Sequence, residues 1–284
     1  MSNEANADMG AYWNGEGGDK WLSFEARLEE SLKPFGTRAI DALAPAGDDQ
    51  VLEIGCGCGP NTIELARRLG ADGRVKGLDI SATILERAEK NAQQSGLGNL
   101  AFDCIDVQTG DLGRTHYDRA FSRFGVMFFD EPAIAFKNIA NALKPGGHIA
   151  FACWAAPREN LWVAEPLQLV GKHVSLPPPP EPGSPGPFSL SKEERVREIL
   201  SEAGFVKVAI ELYRAPMVLG ASIAEAVEFL MNMAPSGGAV SQADPDAATR
   251  AAIREDLGKM LESQLGPEGV TMTAAALIVT AEKP

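Results

Sequence analysis

The stretch Val51-Leu52-Glu53-Ile54-Gly55-Cys56-Gly57-Cys58-Gly59-Pro60-Asn61-Thr62 decides the fold. Val51–Ile54 reads as a short buried strand closed by glycines, and Asn61–Leu69 repeats apolar residues at helical spacing until Gly70 stops it. Between them Gly55, Gly57 and Gly59 let the backbone turn sharply and approach a ligand with no Cβ in the way. In a doubly wound sheet such a loop lies at the carboxyl end of the first strand, where ligands bind. The spacing is G-x-G-x-G. The dinucleotide fingerprint G-x-G-x-x-G needs glycine three positions after Gly57, where Pro60 stands. A pyrophosphate must rest on the helix N-terminus; this spacing, with Glu53 just before the glycines, fits a ligand that carries an amine and no phosphate.

Outward from the loop, residues 49–154 alternate strands and helices. Val75–Asp79 is the second strand; Ala82–Gln94 is a helix capped by Ser81 and ended near Gly96. Leu100–Asp106 and Tyr117–Ser122 follow as strands, Pro132–Leu143 as a helix that stops at Lys144-Pro145-Gly146-Gly147, and His148–Trp154 as a fifth strand. The alternation predicts an α/β fold with a parallel sheet covered by helices on both faces. Upstream, Trp21, Phe24, Leu28 and Leu32 form one helical face, interrupted by Pro34 and Gly36 before a short helix at Thr37–Leu43. Downstream, Pro177–Pro187 is a stiff extended segment, Lys192–Ala203 a helix and Val206–Tyr213 a strand. Ile223–Met233 and Asp246–Gln264 read as helices joined by a Gly/Ser/Asp-rich loop, and Ala274–Ala281 as a last strand.

Two acidic strand ends complete the pattern. Asp79 stands 20 residues past Gly59, where a carboxylate accepts from both hydroxyls of a ribose. Asp106 ends the third strand, where it can accept from an adenine amino group between Ile80 and Val107. At these residues the chain resembles the class I (seven-stranded, Rossmann-like) S-adenosylmethionine-dependent methyltransferases, near the ubiquinone/menaquinone-biosynthesis type. VLEIGCGCG matches that family's first motif, VKGLDIS its second, FDCIDV its adenine segment and ALKPGGHIAF the helix-turn-strand before its fifth strand. The likeness covers about residues 45–154 well, and 192–213 and 274–281 loosely.

The resemblance implies a doubly wound sheet, mostly parallel with an antiparallel last strand at Ala274–Ala281, and S-adenosyl-L-methionine as cofactor, left as S-adenosyl-L-homocysteine. It implies residues 1–48 as an N-terminal helical lid and 49–284 as the cofactor-binding domain, with cap insertions at about 155–190 and 215–272. Gly55 and Gly57 would lie against the methionine part, with Glu53, Cys56 and Asn61 beside them and Asp79 on the ribose. Ser122, Arg123 and Phe124 follow the fourth strand, the usual place for residues beside the transferred methyl; Arg123 departs from the usual small or polar residue. In the leader Ala11–Trp21, Tyr12 and Trp21 either close over the sulfonium, with cation–π attraction, or anchor a helix to the sheet.

Composition limits the acceptor. A net charge of −13 argues against a phosphate-binding face, so neither a nucleic acid nor an anionic membrane is an expected partner. The start MSNEANADMG has no basic stretch leading into an apolar core, and no apolar run reaches the roughly 20 residues of a membrane span, so a cytoplasmic protein is expected. Cys56 and Cys58 read as small loop residues, and Cys104 and Cys153 as core; no Cys/His cluster suggests a metal. His173, Arg123 and Tyr12 are the candidate catalytic groups, and no base constellation stands out. The expected function is methyl transfer to a small apolar or aromatic metabolite, driven by proximity. The alternative is a cofactor-binding relative that transfers no methyl and acts structurally or in regulation. Monomer and homodimer both remain open.

Overall fold

The computed structural model describes residues 6–181 and 183–284; residues 1–5 of the leader and Pro182 of the proline-rich stretch lie outside it. The chain opens with α1 (Ala7–Trp13), α2 (Glu16–Ser23) and α3 (Glu25–Leu43). Then come β1 (Gln50–Ile54), α4 (Pro60–Arg68), β2 (Arg74–Asp79), α5 (Ala82–Ser95), β3 (Leu100–Cys104), β4 (Tyr117–Arg123), α6 (Pro132–Ala142) and β5 (Leu143–Trp154). The remainder is α7 (Leu161–Val170), α8 (Glu193–Glu202), β6 (Val206–Gly220), α9 (Ile223–Asn232), α10 (Pro235–Ala243), α11 (Ala247–Leu261), β7 (Leu265–Gly266) and β8 (Gly269–Glu282).

One sheet of order β3-β2-β1-β4-β5-β8-β6 organises the molecule, with β7 pairing onto β8. Strands β1 to β5 pair in parallel, and β8 runs antiparallel between β5 and β6, as the sequence predicts for the last strand. The order reverses between β1 and β4, so their carboxyl ends open a crevice at the switch point. Val51, Leu52 and Ile54 are all buried, as a central strand covered on both faces requires. At the edge, β3 is half exposed, and Cys104 lies in solvent instead of the expected core. Helices α3, α4 and α5 form one touching layer and α6 with α8 another. Among the described residues no helix is long and apolar enough to cross a membrane.

Helix α5 shows how local sequence sets an element. The Ser81 hydroxyl accepts from Ile84 N at 3.3 Å at its start, and Gly96 ends it with φ +71°. The same hydroxyl donates to Trp13 O at 2.8 Å, tying α1 to the sheet. Ser81→Ala is expected to cost about 1–2 kcal/mol and to lower the melting temperature by roughly 2–5 °C; unchanged thermal denaturation would show that neither bond matters.

Three sequence expectations need correction. Pro34 and Gly36 do not interrupt the N-terminal helix: α3 passes through both. Pro34 forfeits one backbone hydrogen bond, while Leu28, Leu32, Phe35, Ala39 and Ile40 keep one continuous buried face against the sheet. The break comes earlier, at Phe24, so Trp21 belongs to α2 and not to that face. The Gly/Ser-rich segment after α9 is the helix α10, begun by Pro235 and held by Ser236 Oγ donating to Leu230 O at 2.8 Å. Finally, β5 begins at Leu143 and takes in the expected Lys144–Gly147 turn, with a register shift against β4 between Tyr117 and Arg119.

Candidate functional site

At the carboxyl ends of β1, β2 and β4 lies a cavity of about 570 Å³, closed by α1, α2 and the segments after β5 and β6. The glycine loop forms its floor. Gly55 has φ +64°, and a Cβ there would sit 2.9 Å from Gly125 Cα, so only glycine lets this loop pass the segment after β4. Cys56 turns away from the cavity and packs under the loop with Leu85, Ala88 and Phe102. Its thiol and that of Cys58 are pushed up by burial, which keeps them protonated small hydrophobes.

Asp79 is built into the loop as well as facing the cavity. Its carboxylate accepts from Gly57 N at 2.9 Å and Ser81 N at 3.0 Å. Burial nevertheless raises its pKa above the usual carboxylate value, against the pull of those bonds. Ile80 and Val107 line the cavity beside it, as expected for the walls of a base. Asp106 already holds three donors: Asn6 Nδ2 at 2.9 Å, Gln108 N at 2.9 Å and Thr109 Oγ1 at 2.8 Å. Asn6 in turn accepts from Asp130 N at 2.9 Å, so the start of the described chain is fastened at the adenine end.

The exit of β4 supplies the opposite wall. Ser122 does not line the cavity; its hydroxyl donates to Ile54 O at 2.8 Å and locks β4 to β1. Phe124 sits in the left-handed region at φ +62°, a strained conformation for a bulky residue that costs on the order of 1–3 kcal/mol. Its ring stacks on Trp154 with centroids 4.1 Å apart and its N–H donates to Ala152 O at 2.9 Å, which holds the strained turn in place. Trp154 and Trp162 line the same space.

Behind the loop, Glu53 is fully buried. Thr62 Oγ1 donates to its Oε2, while Oε1 is buried with no hydrogen-bond partner. Burial lifts the Glu53 pKa from 4.5 to about 7, although Thr62, the Arg123 charge and Asn61 all favour the carboxylate. Asn61 is buried beside it and touches the backbone of α3 at Gly36.

The leader supplies the remaining wall. Tyr12 and Trp21 both line the cavity; Tyr12 is 47% exposed and lies over Gly17, and the Trp21 indole lies against Gly57. Asn14 donates to Ile80 O at 3.0 Å and accepts from Ala82 N at 3.0 Å, stitching α1 to the end of β2. Asn6, Trp13 and Asn14 were not legible as site residues, because nothing in a linear sequence pairs them with positions 66 to 124 residues away. His173 is not brought to the cavity. It pairs with Asp256 of α11 at 2.9 Å, beside a separate surface recess.

The residues present fit the nucleoside and amino-acid parts of S-adenosylmethionine. A carboxylate faces the cavity from each of β2 and the turn after β3, glycines leave room for close approach, and Arg123 on the wall keeps a buried donor without an acceptor. The family model described as a methyltransferase domain matches residues 51–147. Residues 51–147 thus carry a methyltransferase domain, set in a sheet of Rossmann-like order. Aklanonic acid methyltransferase DauC of Streptomyces sp. (strain C5) is 33% identical over 122 residues, which are 43% of this chain and 56% of the relative. The chain thus spans little more than half the length of that curated relative. The S-adenosyl-L-methionine-dependent Diels-Alderase iliD of Neonectria sp. (strain DH2) is 28% identical over 190 residues, 64% of this chain and 68% of the relative. In fold the chain is similar to a Haemonchus contortus phosphoethanolamine N-methyltransferase solved with phosphomonomethylethanolamine and S-adenosylhomocysteine. The TM-score is 0.55 at 17% identity, covering 88% of this chain and 52% of that one.

Proposed function

We propose that this methyltransferase-family chain transfers a methyl group to a small apolar or aromatic metabolite. The observation that carries this is the division of the cavity wall. Among the described residues, every titratable side chain lining it (Tyr12, Lys20, Asp79, Asp106 and Arg123) comes from the leader, from β2 or β4, or from the turn after β3. Strand β6 and the segments after β5 and β6 contribute Met217, Trp162, Phe188, Phe229 and Met233 instead, with Asn232 as their single polar side chain among the described residues. Such a surface gains by burying rings and alkyl groups and offers no clamp for a phosphate.

The bound cofactor supplies an electrophilic methyl on a sulfonium. What the chain supplies is orientation and dryness: a bulky apolar wall holds the acceptor in line and excludes water. Among the described residues no histidine lines the cavity. The reading therefore favours acceptors that bring their own nucleophile, such as a phenol or enol acidic enough to arrive ionised, or a carbon activated by neighbouring carbonyls. The net charge of −13 supports a small molecule over a nucleic acid as acceptor.

The test is turnover with S-adenosylmethionine against hydrophobic phenols, quinols and β-dicarbonyl compounds. S-adenosylhomocysteine is expected to form in equal amount with a methylated product. Methylation of protein or RNA alone would sink the small-molecule reading. Tight S-adenosylhomocysteine binding with no turnover on any acceptor would favour the non-methylating alternative.

A further inference from the structure

Arg123 stands at the end of β4 where the family resemblance leads one to expect a small or polar residue, and its surroundings give it a task. Its side chain is only 6% exposed yet lines the cavity. Nη2 donates to Glu29 Oε2 of α3 at 2.8 Å, while Nη1 is buried with no hydrogen-bond partner. The guanidinium reaches this position because α3 carries glycine at 36: a Cβ there would lie 2.9 Å from Arg123 Cδ and 3.6 Å from Nη1.

A buried donor left open on a cavity wall carries a desolvation cost that a complementary ligand removes. The amino-acid end of S-adenosylmethionine carries a carboxylate that offers this complement. The other cationic side chain on the cavity wall among the described residues, Lys20, is already paired with Glu16 one turn away and is more than a third exposed. We propose that Arg123, held in place by Glu29, receives the α-carboxylate of the cofactor's methionine part through Nη1. Arginine suits this task because it stays charged when buried and presents its donors in a fixed plane. Glu29 is then a positioning residue, and it makes cofactor binding depend on the docking of α3. The assignment rests on the cofactor reading above.

Titration with S-adenosylhomocysteine and with 5′-methylthioadenosine separates the alternatives, because the second ligand keeps the nucleoside and sulfur but lacks the amino-acid end. Arg123→Gln is expected to weaken S-adenosylhomocysteine roughly 30-fold and to leave 5′-methylthioadenosine within about twofold. Glu29→Gln keeps the guanidinium but loosens it, and is expected to weaken S-adenosylhomocysteine alone by about fivefold. It also serves as the test if Arg123→Gln does not fold. An equal loss for both ligands, as a merely structural role would give, or no loss for either, overturns the assignment. Failure of the unsubstituted protein to bind S-adenosylhomocysteine would instead strike the cofactor reading itself.

Discussion

Asp79→Ala is expected to lower the affinity for S-adenosylhomocysteine by about 100-fold or more while leaving the protein folded. The carboxylate sits where β2 ends, beside the switch point of the sheet, and lines the cavity next to Ile80. A carboxylate in that place accepts from both ribose hydroxyls. Each such charge-assisted bond is worth about 1.5–3 kcal/mol, so two of them give at least the stated factor after allowance for water. Asp79 also holds the glycine loop through Gly57 N at 2.9 Å, so its removal loosens the floor as well. The effect on stability is expected to be small. The two lost backbone bonds are offset by removing a carboxylate whose pKa burial raises. Calorimetric titration with thermal denaturation tests this, and an affinity within about tenfold of the unsubstituted protein would end the ribose assignment. 5′-Methylthioadenosine, which shares the ribose, should lose as much as S-adenosylhomocysteine, the opposite of the pattern expected for Arg123→Gln.

The sheet was legible because its signals are local. The loop Gly55–Gly59, the cap Ser81 and the stop Gly96 each act within a few residues of themselves, and the structure places them as read. The sequence reading of Gly55, Gly57, Asp79, Ile80, Asp106, Val107, Arg123 and Phe124 as neighbours is met by a single cavity that all of them line, together with Tyr12 and Trp21. What escaped depends on distant partners. Pro34 and Gly36 have the local character of breakers, and the docking of α3's buried apolar face on the sheet overrides it. The Gly/Ser-rich α10 has little helical propensity of its own and is stabilised by burying Ala239 and Val240 and by the Ser236 bond to α9. The strained Phe124 turn has no sequence mark, since any residue type there would have read as the end of a strand.

Glu53→Gln is expected to stabilise the protein progressively as pH rises from 5 to 8. In the folded chain the Glu53 pKa is about 7 against an ordinary 4.5, chiefly because burial disfavours the charge. Between those values the native state holds a proton that the unfolded chain has released. The favourable contribution is therefore complete below about pH 4.5 and is lost as pH rises through about 7. At 1.36 kcal/mol per pH unit, the full cost of ionising Glu53 above that range is about 3 kcal/mol. Glutamine keeps an acceptor for Thr62 Oγ1 and carries no charge, so the variant should match the parent near pH 5 and exceed it by about 3 kcal/mol at pH 8. Urea denaturation across that range measures the difference, and one that stayed flat would show that Glu53 titrates normally.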